Sequence, residues 1–411
     1  MDGLERLRRL CRIETVASKG VTEGSYLRAA NLLREWLNEI PGIETRQIEF
    51  VPGKPVVIGS LEGSNKELTS ILLSGHYDVV PAEPDLWSVK SPFAAESESP
   101  RPDKKIIARG TQDMKSVLVQ YIEALRRLQG NIPERSVHVS FLPDEEVGGL
   151  EGAKCFVESD IFKSLNVGIA LDEGLANPDN VFSVFYGERA SCWVVLRAKG
   201  PVGHGSRFVR DTAIEKIARI LNRIYSHRKE MQDKHVCHSA SLGSLLSMNV
   251  TAMKAGVPSS AFANGYAVNV IPSQAEIAVD IRVPLHLNNI EEIIRKEWIQ
   301  DEQDIEIHFI DRNEHPDPNL LSYPLEQDKW ISALSRGIKN VLPHVDIHLD
   351  VFPAGTDGRY IRNAGVPCIG FSPMRNTPIL LHDNDEYITE STFLEGVQVY
   401  ENIIKQLSSV K

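Results

Sequence analysis

Two stretches near the start of the chain, LERLRRLCRI and SYLRAANLLREWLNEI, repeat apolar residues at helical spacing, and the second runs out at Pro41-Gly42. A strand-like region follows and leads into TSILLSGHYDVV, where an apolar run gives way to His76 and Asp78. GTQDMKSVLVQYIEALRRLQG predicts a helix with Val117, Leu118, Tyr121, Ile122, Leu125 and Leu128 on one face and Gly130 as its stop. SVHVSFLPDEE alternates Val137, Val139 and Phe141 before it breaks, and NVGIALDEG does the same with Val167, Ile169 and Leu171. Strands separated by helices predict an α/β fold with a largely parallel central sheet. Between these runs, SPFAAESESPRPDKKI is rich in Ser, Pro and charge and reads as an exposed loop.

The pattern changes near residue 188. ASCWVVLRAKG, LLSMNVTAMKAG, GYAVNVIP and AEIAVDIRV predict strands, with two helices, TAIEKIARILNRIYSHRKEM and NIEEIIRKEWIQ. That grouping predicts an inserted α+β domain with a mostly antiparallel sheet. The expected division is 1–187 and 312–411 for the α/β domain and 188–311 for the insertion, with a closing amphipathic helix in FLEGVQVYENIIKQL. No internal repeat or low-complexity tract interrupts this plan.

With 411 residues, 42% of them apolar and 25% charged, the chain has the composition of a soluble globular protein. Its formal charge of −11, from 45 basic and 56 acidic side chains, disfavours nucleic acid or anionic membrane as a partner. The five cysteines (Cys11, Cys155, Cys192, Cys237, Cys368) are scattered and never spaced CxxC, so a reducing cytoplasm is the expected compartment. MDGLERLRRLCRIE has no apolar signal core, and no run reaches the length of a membrane span.

The acidic excess matters most where strands end. His76 and Asp78 follow SILLSG, Glu145 and Glu146 follow VHVSFLPD, Asp172 and Glu173 follow VGIAL, and His382 follows TPILL. Ligands of open α/β sheets bind beyond the carboxyl ends of strands, so four such endings predict one shared site. Asp113 joins it from the start of the next helix, where a plain N-cap is the competing reading. His76, Asp113, Glu146, Glu173 and His382 offer mixed nitrogen and oxygen ligation suited to zinc and related dications. Two dications sharing Asp113 would relieve the repulsion among the carboxylates. Asp78, two residues from His76 on an extended chain, is placed to accept its second ring N–H. Adjacent residues face apart, so with Glu146 on metal Glu145 is left as general base for an attacking water. PDEEVGG also reads as an acidic turn.

Taken in order, SGHYDVVP, RGTQDMKS, PDEEVGG, LDEG, GHGS, NVIP, GTDGRYIR and LLHDNDE resemble the M20 family of zinc-dependent amidohydrolases and exopeptidases, within it the aminoacylase-1 branch. The resemblance implies a zinc-exopeptidase-like domain with a mixed, largely parallel sheet flanked by helices, plus an inserted lid and dimerisation domain. It implies two zinc ions per subunit, one on His76, Asp113 and Glu173, the other on Asp113, Glu146 and His382. Glu145 matches the catalytic acid/base, Asp78 the residue that orients His76, and Asp113–Met114 a cis peptide. The choice between Asp172 and Glu173 in LDEG falls on Glu173 by the aminoacylase pattern.

The same resemblance makes His204 of GHGS an oxyanion-stabilising residue delivered by the partner subunit's lid, and Asn269 and Arg282 further lid residues of a homodimer. A tight turn and a local ion pair are the plainer readings of GHGS and Arg282. Gly355 and Thr356 of GTDGRYIR are expected to line the pocket, with Arg359 a further candidate for a substrate carboxylate. His235, His238 and Cys237 read as surface residues without a partner set. The implied activity is hydrolysis of N-acyl-L-amino acids to a carboxylate and a free amino acid, in amino-acid metabolism, with a dipeptidase or carboxypeptidase of the same family as the alternative.

Overall fold

The computed structural model describes residues 1–97, 103–238, 240–312 and 320–411. Residues 98–102 of the Ser/Pro-rich loop lie outside that set. The chain forms two compact units: Met1–Gly187, Pro316–Asp350 and Thr356–Lys411 make the first, Glu188–His315 with Val351–Gly355 the second.

The first unit is built on an eight-stranded sheet. Its strands are β1 (Ile43–Glu49), β2 (Pro55–Leu61), β3 (Ser70–His76), β4 (Val137–Leu142), β5 (Val167–Asp172), β6 (Val181–Glu188), β7 (Asp346–Phe352) and β8 (Cys368–Phe371), in the spatial order β1-β2-β4-β3-β5-β8-β6-β7. The four central strands β4, β3, β5 and β8 run parallel. Antiparallel neighbours extend the sheet on both sides, so it is mixed.

Burial on both faces explains the sequence of the centre. Every residue of β3 and β4 is buried, including His138 and Ser140. Ile71 and Leu73 belong to one apolar cluster and Leu72 to another, as period-two alternation requires when both faces are covered. The larger cluster packs the helices Gly3–Cys11, Ser25–Asn38, Lys115–Arg127, Lys329–Val341 and Glu390–Ser408. The smaller one packs Ala153–Glu158, Asp160–Ser164 and Gly358–Asn363. The helix Lys115–Arg127 buries the predicted face and nearly all the rest, Ser116, Val119, Gln120 and Ala124 included. It packs against both Gly3–Cys11 and Glu390–Ser408, which leaves it little solvent face.

The second unit is a four-stranded antiparallel sheet in the order Ser247–Ala255, Gln274–Val283, Ala190–Lys199, Ile305–Arg312. Alternate residues of Ala190–Lys199 and Gln274–Val283 are buried. They pack on the helix Ala213–Val236, whose start carries a capping box of Thr212 and Glu215, and on the turns Ile290–Ile299. Ile305–Arg312 is a strand the sequence pattern did not predict. GYAVNVIP contributes only Val270–Ile271, paired with Gly203–His204. No helix among the described residues is long and apolar enough to cross a membrane.

Candidate active site

Because β4, β3 and β5 are parallel neighbours, their carboxyl ends meet on one rim. His76 is the last residue of β3 and Glu173 follows β5. After β4 the chain turns through Asp144, at φ 68°, into a single helical turn Glu145–Val147. The three strand endings singled out in the sequence therefore converge through sheet register.

His382 arrives differently. TPILL is not a strand: the segment is irregular, and His382 sits in a turn at φ 63°. Apolar character alone did not distinguish a docked loop from a strand. Asp113 also departs from its plain reading, since Met114 is the N-cap of the following helix and makes no side-chain cap bond. The Asp113–Met114 peptide is cis.

The Asp113 carboxylate lies between the two histidines. Its Oδ1 is 2.9 Å from His76 Nε2 and its Oδ2 is 3.2 Å from His382 Nε2. Glu173 Oε2 lies 3.6 Å from His76 Nε2, and Glu146 Oε2 lies 3.1 Å from His382 Nε2. Each expected ligand is thus within contact distance of another. Donor atoms of His76, Asp113 and Glu146 all fall within 4.8 Å of one another, as do those of His76, Glu145 and Glu173. Glu145 therefore borders the same donor set.

Electrostatics mark this cluster as one that wants cations. Burial, with Asp113 nearby, pushes the Glu146 carboxyl up to about 7 despite its contact with His382. Burial, then the neighbouring Glu173, holds Glu145 well above the usual carboxylate range, and burial with Asp113 does the same to Glu173. Contacts with Asp113 and Glu146 raise the His382 imidazole to about 10. Burial opposes charge on His76, yet hydrogen bonds to Asp113, Asp78 and Glu173 outweigh it and raise its pKa. Like charges crowded out of water are stabilised by protons or by metal, and nitrogen with carboxylate oxygen suits zinc-type dications. The donor set fits.

The expected link between His76 and Asp78 takes a modified form. The shortest contact of His76 Nδ1, at 3.0 Å, is to the Asp78 main-chain carbonyl, with the carboxylate at 3.4 Å. That carboxylate accepts the main-chain N–H groups of Glu145 and Glu146 instead, at 3.2 and 3.1 Å.

The other expected residues are less concentrated. Thr356 is buried, its hydroxyl accepting the Gly358 N–H at 3.2 Å, while Gly355 is half-buried. Arg359 donates to the Gly148 carbonyl at 2.7 Å, so it ties down the loop after Glu146. In the second unit, His204 and Asn269 are exposed. The Asn269 carbonyl accepts the Gly205 N–H at 2.7 Å. Arg282 pairs with Asp280 on its own strand through Nε at 2.9 Å, the plainer reading raised for it. His235, Cys237 and His238 are exposed.

Residues 72–406 match the model of peptidase family M20/M25/M40. The chain belongs to this family. Among its M20 relatives, Aminoacylase-1 of Dictyostelium discoideum is 41% identical over 87% of this chain and 87% of its own length. Aminoacylase-1 of Homo sapiens is 39% identical over 98% of this chain and 94% of its own. M20 folds in solved structures superpose over almost the whole chain. The metallo-carboxypeptidase Sso-CP2 from Sulfolobus solfataricus gives a TM-score of 0.72 at 17% identity, covering 99% of this chain and 100% of that one. YXEP of Bacillus subtilis, a dinuclear metal binding peptidase, gives 0.64 at 15%, covering 100% of this chain and 99% of that one.

Several residues of this M20 site escaped the sequence reading. Asp144 accepts the Tyr26 hydroxyl at 2.9 Å and pairs with Lys54, which anchors the turn that presents Glu145. Arg109, Gln112 and Glu386 flank Asp113 and His382. They sit inside the quoted motifs RGTQD and HDNDE, but nothing in one sequence says which of those positions pair.

Proposed function

We propose that the protein is a zinc-dependent aminoacylase that hydrolyses N-acyl-L-amino acids to a carboxylate and a free L-amino acid. The observation that carries this reading is the near full-length relationship to Aminoacylase-1 proteins, at 38% to 41% identity. The bridging position of Asp113 between His76 and His382 supports it.

We assign His76, Asp113 and Glu173 to one zinc ion and Asp113, Glu146 and His382 to the other. Zinc held there supplies Lewis acidity to the acyl carbonyl and to the attacking water. Glu145, buried beside these donors, takes the proton from that water and delivers it to the departing amide nitrogen. A carboxyl already disposed by burial to hold a proton suits that shuttle. Asp78 fixes the Glu145 main chain and the His76 ring together.

His204 of the partner subunit is assigned to the tetrahedral oxyanion. Its Nδ1 accepts the Ser206 N–H at 3.2 Å, so an N–H on Nε2, across the ring, is the donor that an oxyanion needs. Asn269 and Arg282 from the same lid, with Gly355, Thr356 and Arg359, complete the substrate site in a homodimer. Arg282 would bring its guanidinium to the amino-acid carboxylate by exchanging its contact with Asp280. The catalytic unit, 1–187 and 312–411, and the lid, 188–311, work in the cytoplasm, with no role for nucleic acid or membrane.

Initial rates of the zinc-reconstituted protein on N-acetyl-L-methionine and on an unblocked dipeptide test the substrate class. The acylated amino acid is expected to turn over faster. Preference for the free dipeptide would reject the assignment in favour of a dipeptidase of the same family.

A further inference from the structure

We propose that Arg109, Gln112 and Glu386 are positioning residues that lock the Asp113 loop to the His382 loop, and thereby set the affinity of the ion held by Asp113, Glu146 and His382. This rests on the zinc assignments made above.

His382 needs an external hold. Its side chain is 51% exposed and its backbone lies at φ 63°, in a segment without regular structure. Core packing does not fix such a residue. His76, by contrast, is 1% exposed at the end of a central strand. The two histidines of the site are therefore secured by different means.

Three side chains supply the hold for His382. Glu386 is fully buried, and its two oxygens accept four N–H groups. Oε1 takes the main-chain N–H of Gln112 at 2.6 Å and of Asp113 at 3.2 Å. Oε2 takes the Gly110 N–H at 3.1 Å and the Arg109 guanidinium at 2.8 Å. Arg109 in turn donates to the carbonyls of Asp383 at 3.0 Å and His382 at 3.3 Å, with the Trp87 ring 5.3 Å from its guanidinium carbon.

Gln112 closes the arrangement from the other side. Its Nε2 donates to the carbonyls of Pro378 at 3.1 Å and Tyr387 at 2.9 Å, while its Oε1 accepts the Leu380 N–H at 2.9 Å. The backbone on both flanks of His382 is thus tied to the residues that immediately precede Asp113. A buried ion pair adds little to stability over an apolar substitute, but it fixes register. Here the register that it fixes is that of one metal ligand against the bridging ligand.

Stripping the protein with chelator and titrating Zn2+ back by calorimetry against a competing chelator tests this. The wild type is expected to bind two ions. Gln112→Met, which keeps the volume and loses three hydrogen bonds, should hold one ion within about threefold of its wild-type affinity and bind the other roughly 10–100-fold more weakly. The double variant Arg109→Met/Glu386→Gln should do the same, and if it fails to fold the milder Gln112→Met decides. In the metal-free state the Leu380 and Asp383 amides of Gln112→Met should exchange with deuterium faster than in the wild type, which a purely global loss of stability would not confine to this loop. Wild-type affinity for both ions in folded Gln112→Met, or equal weakening of both, overturns the inference. A wild type that takes up no zinc overturns the metal assignment, and this inference falls with it.

Discussion

The Asp78 carboxylate holds Glu145 by its main chain, with Oδ1 accepting the Glu145 N–H at 3.2 Å. The neighbouring oxygen takes the Glu146 N–H at 3.1 Å, and the His76 ring lies against the same residue. One buried residue therefore spaces His76, the proposed metal ligand on β3, from Glu145, the proposed acid/base on the turn after β4.

Replacing Asp78 by Asn keeps its size but turns one acceptor into a donor that faces an N–H. Leaving a buried amide unpaired costs about 1–3 kcal/mol. The expected result is a folded protein with kcat lower by roughly 10–100-fold, the range seen for residues that orient metal ligands. Steady-state kinetics beside circular dichroism measure it. Unchanged kcat would show that the turn is held in some other way.

Glu145 borders the donor set, with His76 and Glu173 donor atoms within 4.8 Å, so its role has to be separated from ligation. Glu145→Gln should fold, bind two zinc ions and lose on the order of 10²–10⁴-fold in kcat, since the amide cannot carry the proton. Zinc content by atomic absorption distinguishes the readings. Loss of one ion in this variant makes Glu145 a ligand and leaves the reaction in need of another base.

If His204 of the partner subunit serves the site, activity can be shared between two defective chains. His204→Ala and Glu145→Gln homodimers should each be nearly inactive. Heterodimers of the two contain one site with an intact Glu145 and an intact His204 and one with neither, so the isolated heterodimer should recover up to about half of wild-type activity. Differently tagged subunits isolate the mixed species. Its inactivity would place His204 and Glu145 of one chain in the same site.

The strand-borne part of the site was legible in the sequence because a polar residue after a buried run is conspicuous. His76, Glu145, Glu146 and Glu173 each follow such a run, and sheet register does the rest. His382 was identified as a residue but its setting was misread. Two hydrogen bonds of the TPILL backbone go to the Gln112 side chain instead of to a strand, across 266 and 268 positions. No local pattern encodes a partnership of that separation. The Arg109–Glu386 pair, 277 residues apart, was hidden for the same reason. In the second unit, the bond from Lys199 N–H to Asp304 O leads into a strand, Ile305–Arg312, whose charged residues disguised its alternation.

Gly149 shows how tightly the turn carrying Glu145 is packed. Its N–H donates to the Asp144 carbonyl at 2.7 Å, its φ is +66°, and a Cβ there would lie 2.1 Å from Asp357 Oδ1. Asp357 is 1% exposed, and the Tyr360 ring lies 3.0 Å from the same Cβ position. At Gly148, φ is +102° but no atom lies within 4 Å of the corresponding position. Gly149→Ala should therefore lower both Tm and kcat, the latter at least tenfold. Gly148→Ala carries only the conformational cost, about 1–2 kcal/mol. Equal effects of the two substitutions on kcat would mean that contact with Asp357 does not constrain the turn.

His138, in the middle of β4, gives the fold a pH dependence far from the site. It is 8% exposed, its Nδ1 lies 2.8 Å from the Ser60 hydroxyl, and burial lowers its pKa from about 6.5 to about 4. The folded protein thus prefers the neutral ring, while the unfolded chain takes up a proton below 6.5. Between those values the unfolded state binds more protons, so stability rises with pH. The contribution is complete above about pH 6.5 and lost by about pH 4, a change of roughly 3 kcal/mol for a shift of this size. Glutamine at this position does not titrate. The stability difference between wild type and His138→Gln, from urea unfolding at pH 7, 5.5 and 4.5, should move against the wild type by about that amount as pH falls. A difference constant across the series would mean that the ring is as easily protonated inside the sheet as outside it, which its burial among β-strands opposes.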